Sequence, residues 1–440
     1  MDSTLNPYSP GAGKRPRYLA GRDDHLRAAV ALIERANRTL EPGRPEAFWG
    51  RRGVGKTVLL RAIQAQFEAA GWITIGFECH EASDGGPAIR SKIERELVAS
   101  VRKVASGLDK TQALVKRMLD TVVSFVLSTD LKVVSASLTV DPQKGRGDTQ
   151  AFDFDLIDLV EDIHLALAPK GKGLAIFVDE AQNLDQPTLA ALLGAQHKAQ
   201  QENWNFYIFT AGLPNLPGYF AEARPYGERL FAYREIGQLA AADADAALRS
   251  PAAEQDVEYV HVAAEMLLNT SKGYPYFIQE YGFQAWNLAA TSPITPQDAI
   301  FARAAGTAAL DEGFFRSRWT RATKAEQKLM IAMSEDADSA PSQISDLVQR
   351  MGKSKPGDIS VQRRGLLQKG LIYAPARGEL AFAVPRMAEY IQRHHSQDTD
   401  AGPCTEQTTI TDWLRLKPDF AMPEDWDVVA ELDTTRAESS

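Results

Sequence analysis

The chain has 440 residues, 44% of them hydrophobic, which is enough to bury more than one core and points to two or three domains. Only two cysteines, Cys79 and Cys404, and seven histidines without ligand spacing argue against a disulfide scaffold or a zinc site and suit a reducing compartment. No signal-peptide core and no run of about 18 uncharged apolar residues is seen, so a cytoplasmic protein without a membrane partner is the expectation, and the net charge of −9 weighs against a uniformly nucleic-acid-binding surface.

In chain order, residues 1–18 are rich in Pro and Gly and read as an extended lead-in. A helix follows around Leu26, Val30, Leu32 and Ile33, with Asp23 and Asp24 suited to its N-terminus. "EAFW" reads as a short buried strand, and Leu59, Ile63 and Phe67 recur at i, i+4 and i+8, so the residues after Lys56 form a helix with one buried face. Trp72 to Cys79 is the next strand. An insertion at about 87–150 carries a helical stretch to Leu127 and an alternating strand, Leu131 to Val140. Then come a helix near Phe154 to Leu167, the apolar strand Leu174 to Val178, a helix over Thr188 to Gln201, the strand Phe206 to Thr210 and an edge strand over Phe231 to Ile236. Strands apolar on both faces and alternating with helices predict an α/β parallel sheet covered on two sides, spanning 19–240. Residues 241–315 are Ala-rich and helical, with breaks expected at Pro251, Gly273 and Pro293. Residues 316–395 read as three helices and two short strands, the pattern of a winged helix-turn-helix, and 396–440 as an acidic tail in which Trp413 and Trp426 are the docking candidates.

The chemistry concentrates in two segments. Gly50, Arg51, Arg52, Gly53, Val54, Gly55, Lys56 and Thr57 satisfy the phosphate-binding loop pattern, with a strand before and a helix, starting through Val58, after. In that setting backbone amides surround phosphate oxygens, Lys56 adds a cation, and Thr57 supplies a hydroxyl for magnesium. The strand ending in Asp179 and Glu180 places two carboxylates at the sheet's C-terminal edge, where such sheets bind ligands. Asp179 suits the magnesium, and Glu180 suits the activation of an attacking water. ATP with Mg2+ is the expected ligand pair, and ADP the product.

These two motifs, the entry segment "LAGRDDHL" and the C-terminal pattern together resemble the origin-recognition-complex-like AAA+ ATPases and the similar signal-transduction (STAND) ATPases, over about residues 16 to 393. The resemblance implies an AAA+ type sheet with a helical lid and a C-terminal winged helix. It places Gly21 and Arg22 beside the nucleotide base and Thr210 at the position that senses the γ-phosphate. Arg229 stands for an arginine that enters a neighbouring subunit's site in a homo-oligomer, with Arg224 and Arg234 as competitors. Gly273 and Pro275 match the Gly-x-Pro motif of the lid, and Tyr276 stands where the replication initiators carry an arginine.

Charge is unevenly spread. Residues 396–440 hold 11 acidic and 3 basic residues, whereas 350–395 hold 9 basic and 3 acidic ones. On the second helix of the helix-turn-helix, Gln362 and Arg363 suit base edges of double-stranded DNA. Lys353, Lys355 and Arg364 suit its backbone, Lys369 is a further DNA-contact candidate on this helix, and Arg377 suits a minor groove, while Val361, Leu366 and Leu367 form the helix's buried face. The alternative is a regulatory module whose winged helix packs on the ATPase and binds protein partners without DNA.

Overall fold

Strands without a polar face must be covered on both sides, and four buried strands with a partly exposed edge strand form one parallel sheet here, in the order Ile73–Glu78, Leu174–Asp179, Phe206–Gly212, Glu46–Trp49, Ala232–Glu235. The computed structural model describes residues 1–395 except 12, 39–40, 81–85, 106, 110, 128–146, 148, 150 and 337–339. The expected strand at 131–140 and the acidic segment from Ser396, with Cys404, Trp413 and Trp426, lie outside the described residues. The strands are β1 (Glu46–Trp49), β2 (Ile73–Glu78), β3 (Leu174–Asp179), β4 (Phe206–Gly212) and β5 (Ala232–Glu235). β4 pairs with both β1 and β3, so it separates the strand leading into the glycine-rich loop from the strand ending in the carboxylate pair.

Alternation along the strands divides the core into two layers. Phe48, Ala175, Phe177, Tyr207 and Phe209 face α1 (Asp23–Asn37) and α2 (Lys56–Ala69). Leu174, Ile176, Val178, Phe206 and Ile208 face the other side. There they meet α3 (Gly86–Ala105), α4 (Ala113–Leu127), α5 (Phe152–Leu167), α6 (Gln186–Gln201) and α7 (Leu216–Ala223). The single helical stretch expected from 87 to 127 is thus two helices. A short α8 (Gly227–Leu230) precedes β5.

The helical region expected to be the lid consists of α9 (Ala241–Ala253), α10 (His261–Ser271), α11 (Pro275–Leu288) and α12 (Pro296–Ala309). Breaks fall at Gly273 and Pro293 as expected, but Pro251 lies inside α9. It sits in the last turn, where its ring removes one ladder bond and the helix is about to end anyway. The domain boundary expected at 315 falls in mid-helix. α12 continues through a π-helical turn, Leu310–Phe315, into α13 (Arg316–Arg321), and one apolar core runs from lid residues such as Phe277 and Tyr281 to Leu366 and Phe382.

The C-terminal unit holds α14 (Lys324–Ser334), α15 (Ile344–Arg350), α16 (Ser360–Gln368) and α17 (Met387–His395). With them stands an antiparallel sheet of β6 (Ser342–Gln343), β8 (Glu379–Phe382) and β7 (Ile372–Tyr373), one strand more than expected. The buried face expected on α16 is corrected: Leu366 is fully buried, but Val361 is 78% and Leu367 36% exposed. A helix of nine residues on the rim of the unit needs only one such anchor.

Candidate nucleotide site

The loop between β1 and α2 is held from three sides. The Gly50 amide donates to the Gly212 carbonyl at 3.2 Å, and a Cβ at Gly50 would lie 2.1 Å from the Ile236 carbonyl oxygen, so glycine is obligatory there. Arg22, almost buried, donates to the carbonyls of Val54 (3.1 Å) and Gly237 (3.0 Å). Tyr276 at the start of α11 donates its amide to Gly53 at 3.4 Å. Gly55 takes the left-handed φ of 90° and caps α2 without a side-chain hydrogen bond, leaving no side chain on the first-turn amides of this helix. Such an N-terminus attracts anions through its amides and its dipole.

Above it lies a cavity of about 430 Å³, within the size range of small-molecule sites. The loop from Arg52 to Val58, Glu180, Pro275, Tyr276 and Arg318 line it, and part of the lead-in covers it. That lead-in is anchored on the lid: Asn6 donates to Phe283 O (3.1 Å), the Ser9 amide donates to Gln279 (3.1 Å), and the hydroxyls of Tyr8 and Tyr259 are 2.8 Å apart. Arg61 of α2 donates to Gly13 O at 3.1 Å and closes the other end.

Lys56 is buried and donates to the carbonyls of Gly50 and Arg51, each at 2.9 Å. Burial pushes its ammonium down to about 8, an effect that Arg52 reinforces and that Glu180 and Asp179 oppose. A bound polyanion would raise it again. Between the two values binding must take up a proton, so nucleotide affinity is expected to fall as pH rises above about 8. Calorimetric titrations at pH 8.5 in buffers of different ionisation enthalpy check this, and an observed heat independent of buffer would refute it.

At the tip of β3, Asp179 is buried and burial raises its carboxyl above the usual range, while the Thr57 hydroxyl, donating to it, works the other way. The two expected magnesium ligands therefore lie near each other. Both offer hard oxygen, and no group of three or more His, Cys, Asp or Glu suited to a metal exists among the described residues. A magnesium ion fits such a pair only if phosphate oxygens and water complete its shell. Glu180 sits at a φ of 51°, uncommon for a side chain other than Gly, Asn or Asp. Its carboxylate lies 3.5 Å from Arg52 and accepts from Gln182 Nε2 at 2.5 Å. Gln182 in turn accepts the Leu213 amide at 3.0 Å, so it ties the carboxylate to the end of β4.

Other expected site residues are placed elsewhere. Gly21, Gly50, Arg51 and Asp179 are not among the cavity's lining residues; Asp179 is reached through Thr57, and Arg51 faces a second cavity, its Nε 3.4 Å from Tyr373 Oη. Thr210 is buried in β4 with its hydroxyl unpartnered, and it does not line the cavity either. Arg234 pairs with Glu46 at 2.9 Å and Arg224 reaches Ala190 O at 3.5 Å, whereas Arg229 is exposed at the end of α8 and has no carboxylate partner among the described residues. In the C-terminal unit, Lys369 is committed to Glu326 at 2.5 Å. Arg364 and Arg377 are exposed, Arg363 and Gln362 half-buried. Sequence reasoning missed Gln182, which stands two residues after Glu180, and Phe314 and Arg318, for which no local signal exists.

Residues 18–209 match the family model of the AAA ATPase domain, and residues 312–391 match a family described as a domain of unknown function, DUF8462. No curated protein sequence matches the chain. Among solved structures, the Walker-type ATPase PABY2304 of Pyrococcus abyssi is similar at 14% identity and a TM-score of 0.56, over 88% of this chain and 99% of that one. The ORC2 protein of Aeropyrum pernix, solved in ADPNP–ADP complexes, is similar at 15% identity and a TM-score of 0.50, over 87% of this chain and 96% of that one. At such identities the likeness establishes the fold, a parallel-sheet P-loop NTPase.

Proposed function

We propose that the chain is an ATP-binding and ATP-hydrolysing switch of the AAA+ type, whose lid and C-terminal unit respond to the nucleotide. The observation that carries this reading is the convergence of Lys56, Thr57 and Glu180 on one cavity at an open helix N-terminus, with the Asp179 carboxyl next to the Thr57 hydroxyl behind it. Thr57 and Asp179 would hold magnesium, which when bound neutralises charge on the phosphates. Lys56 would leave the loop carbonyls for phosphate oxygens, and Glu180 would accept a proton from the attacking water once Arg52 turns from it. Arg229, exposed and without a carboxylate partner, suits a site in a second copy; Pro275 and Arg22 bound the base side. Phosphate release by the full chain with Mg·ATP tests the reading. Neither release nor heat on titration would end it.

We read residues 316–395 as a winged helix whose α16 and β7–β8 turn contact double-stranded DNA. Lys353, Lys355, Arg363, Arg364 and Arg377 have no carboxylate partner among the described residues, which supports this face as a phosphate-binding one. Changing Arg363 and Arg364 together to Ala is expected to weaken duplex binding and to lower its dependence on log salt by about two, read by fluorescence anisotropy. The regulatory reading draws on a different observation: the Arg52 amide donates to Ala383 O at 2.9 Å and Lys272 pairs with Glu389 at 2.6 Å, so the unit packs on the ATPase. Salt-insensitive or absent duplex binding would leave that reading alone.

A further inference from the structure

Tyr276 occupies the lid position where a cation is expected on the nucleotide, and its ring stacks on Phe314 with centroids 4.8 Å apart. Phe314 belongs to the π-helical turn after α12, and its ring edge comes within 3.9 Å of where a Cβ on Gly53 would lie. One turn on, the Arg318 guanidinium rests over the other side of this arrangement, 3.9 Å from the Phe314 ring centroid, and donates to the Phe314 carbonyl. No carboxylate within ion-pair distance holds it among the described residues, yet it lines the same cavity as Arg52 and Lys56. Cations gathered around one cavity repel one another, and a ligand carrying several negative charges removes that cost.

We infer that Arg318, carried on α13, is the residue that contacts the γ-phosphate of ATP and so distinguishes ATP from ADP. This rests on the reading of the cavity as a nucleotide site. The cation comes from a helix that leads directly into α14, so the C-terminal unit itself reads the third phosphate. Burial and the charge of Arg52 push the Arg318 guanidinium down to about 10, consistent with an unpaired cation awaiting an anion. The π turn between α12 and α13 changes the helical register just where Phe314 and Arg318 line the cavity together.

The test compares affinities of the full-length protein for Mg·ATPγS and Mg·ADP by calorimetry. Arg318→Gln is expected to lower ATPγS affinity about tenfold or more while ADP affinity stays within about threefold, the loss of a charge-assisted contact to one phosphate. An unchanged ratio of the two affinities would overturn the inference. A second measurement uses the unaltered protein: phenylglyoxal modification of Arg318, followed by mass spectrometry, should be suppressed by ATPγS and not by ADP. Equal modification under both nucleotides would also overturn it. If the unaltered protein binds neither nucleotide, the cavity reading falls first; if it binds both and Arg318 is indifferent, only this inference falls.

Discussion

Glu180→Gln is expected to lower ATP turnover by about 100-fold to 1,000-fold, the usual worth of a positioned general base, while leaving the affinity for Mg·ATP within about threefold. Glutamine keeps the shape of the side chain and its contact with Gln182 Nε2 through the remaining carbonyl oxygen, so the left-handed turn at φ 51° is not disturbed. What disappears is the group able to take a proton and the 3.5 Å pairing with Arg52. That pairing is partly exposed and contributes little to stability, so the variant should fold and bind as the parent does. Phosphate release under single-turnover conditions checks it. A variant as fast as the parent would remove Glu180 from the mechanism and turn attention to Asp179 and to Glu78, which also lines the cavity.

The same carboxylate explains why part of the site was legible beforehand and part was not. Gly50 to Thr57 and Asp179–Glu180 announce themselves because each needs a local pattern, a strand followed by a turn, that leaves a trace in adjacent residues. The strand order β2, β3, β4, β1, β5 does not, because it is set by which strands pair over long separations. Hence nothing in the sequence indicated that Leu213, at the end of β4, would supply the amide that orients Gln182 and through it Glu180. Arg318 is the extreme case. It lies far along the chain from Lys56, and it reaches the cavity only because α12 runs unbroken through a π turn where a domain boundary was expected. Periodicity at 3.6 residues per turn cannot anticipate a one-residue expansion of the helix. Val361 failed for the opposite reason: an apolar residue at helical spacing reads as core, whereas a short rim helix buries Leu366 alone.

Lys56→Ala is expected to have the largest effect on binding and almost none on the stability of the nucleotide-free protein. In that state the ammonium is buried, and its depression from 10.5 to about 8 corresponds to about 3 kcal/mol by which the fold disfavours the charged form. Removing the side chain therefore removes a cost along with its two hydrogen bonds to Gly50 and Arg51, and these roughly offset each other. With nucleotide present the balance changes. The ammonium's contacts to phosphate oxygens are charge-assisted and contribute about 3 kcal/mol or more together, so affinity for Mg·ATP should fall by at least about 100-fold. The signature is a melting temperature that matches the parent without nucleotide and no longer rises when Mg·ATP is added, because ligand stabilisation scales with the logarithm of concentration over Kd. A variant that melts well below the parent without nucleotide would mean that Lys56 holds the loop together. One that still gains stability from ATP would mean that the phosphates are held by the α2 amides, Arg52 and Arg318 without it.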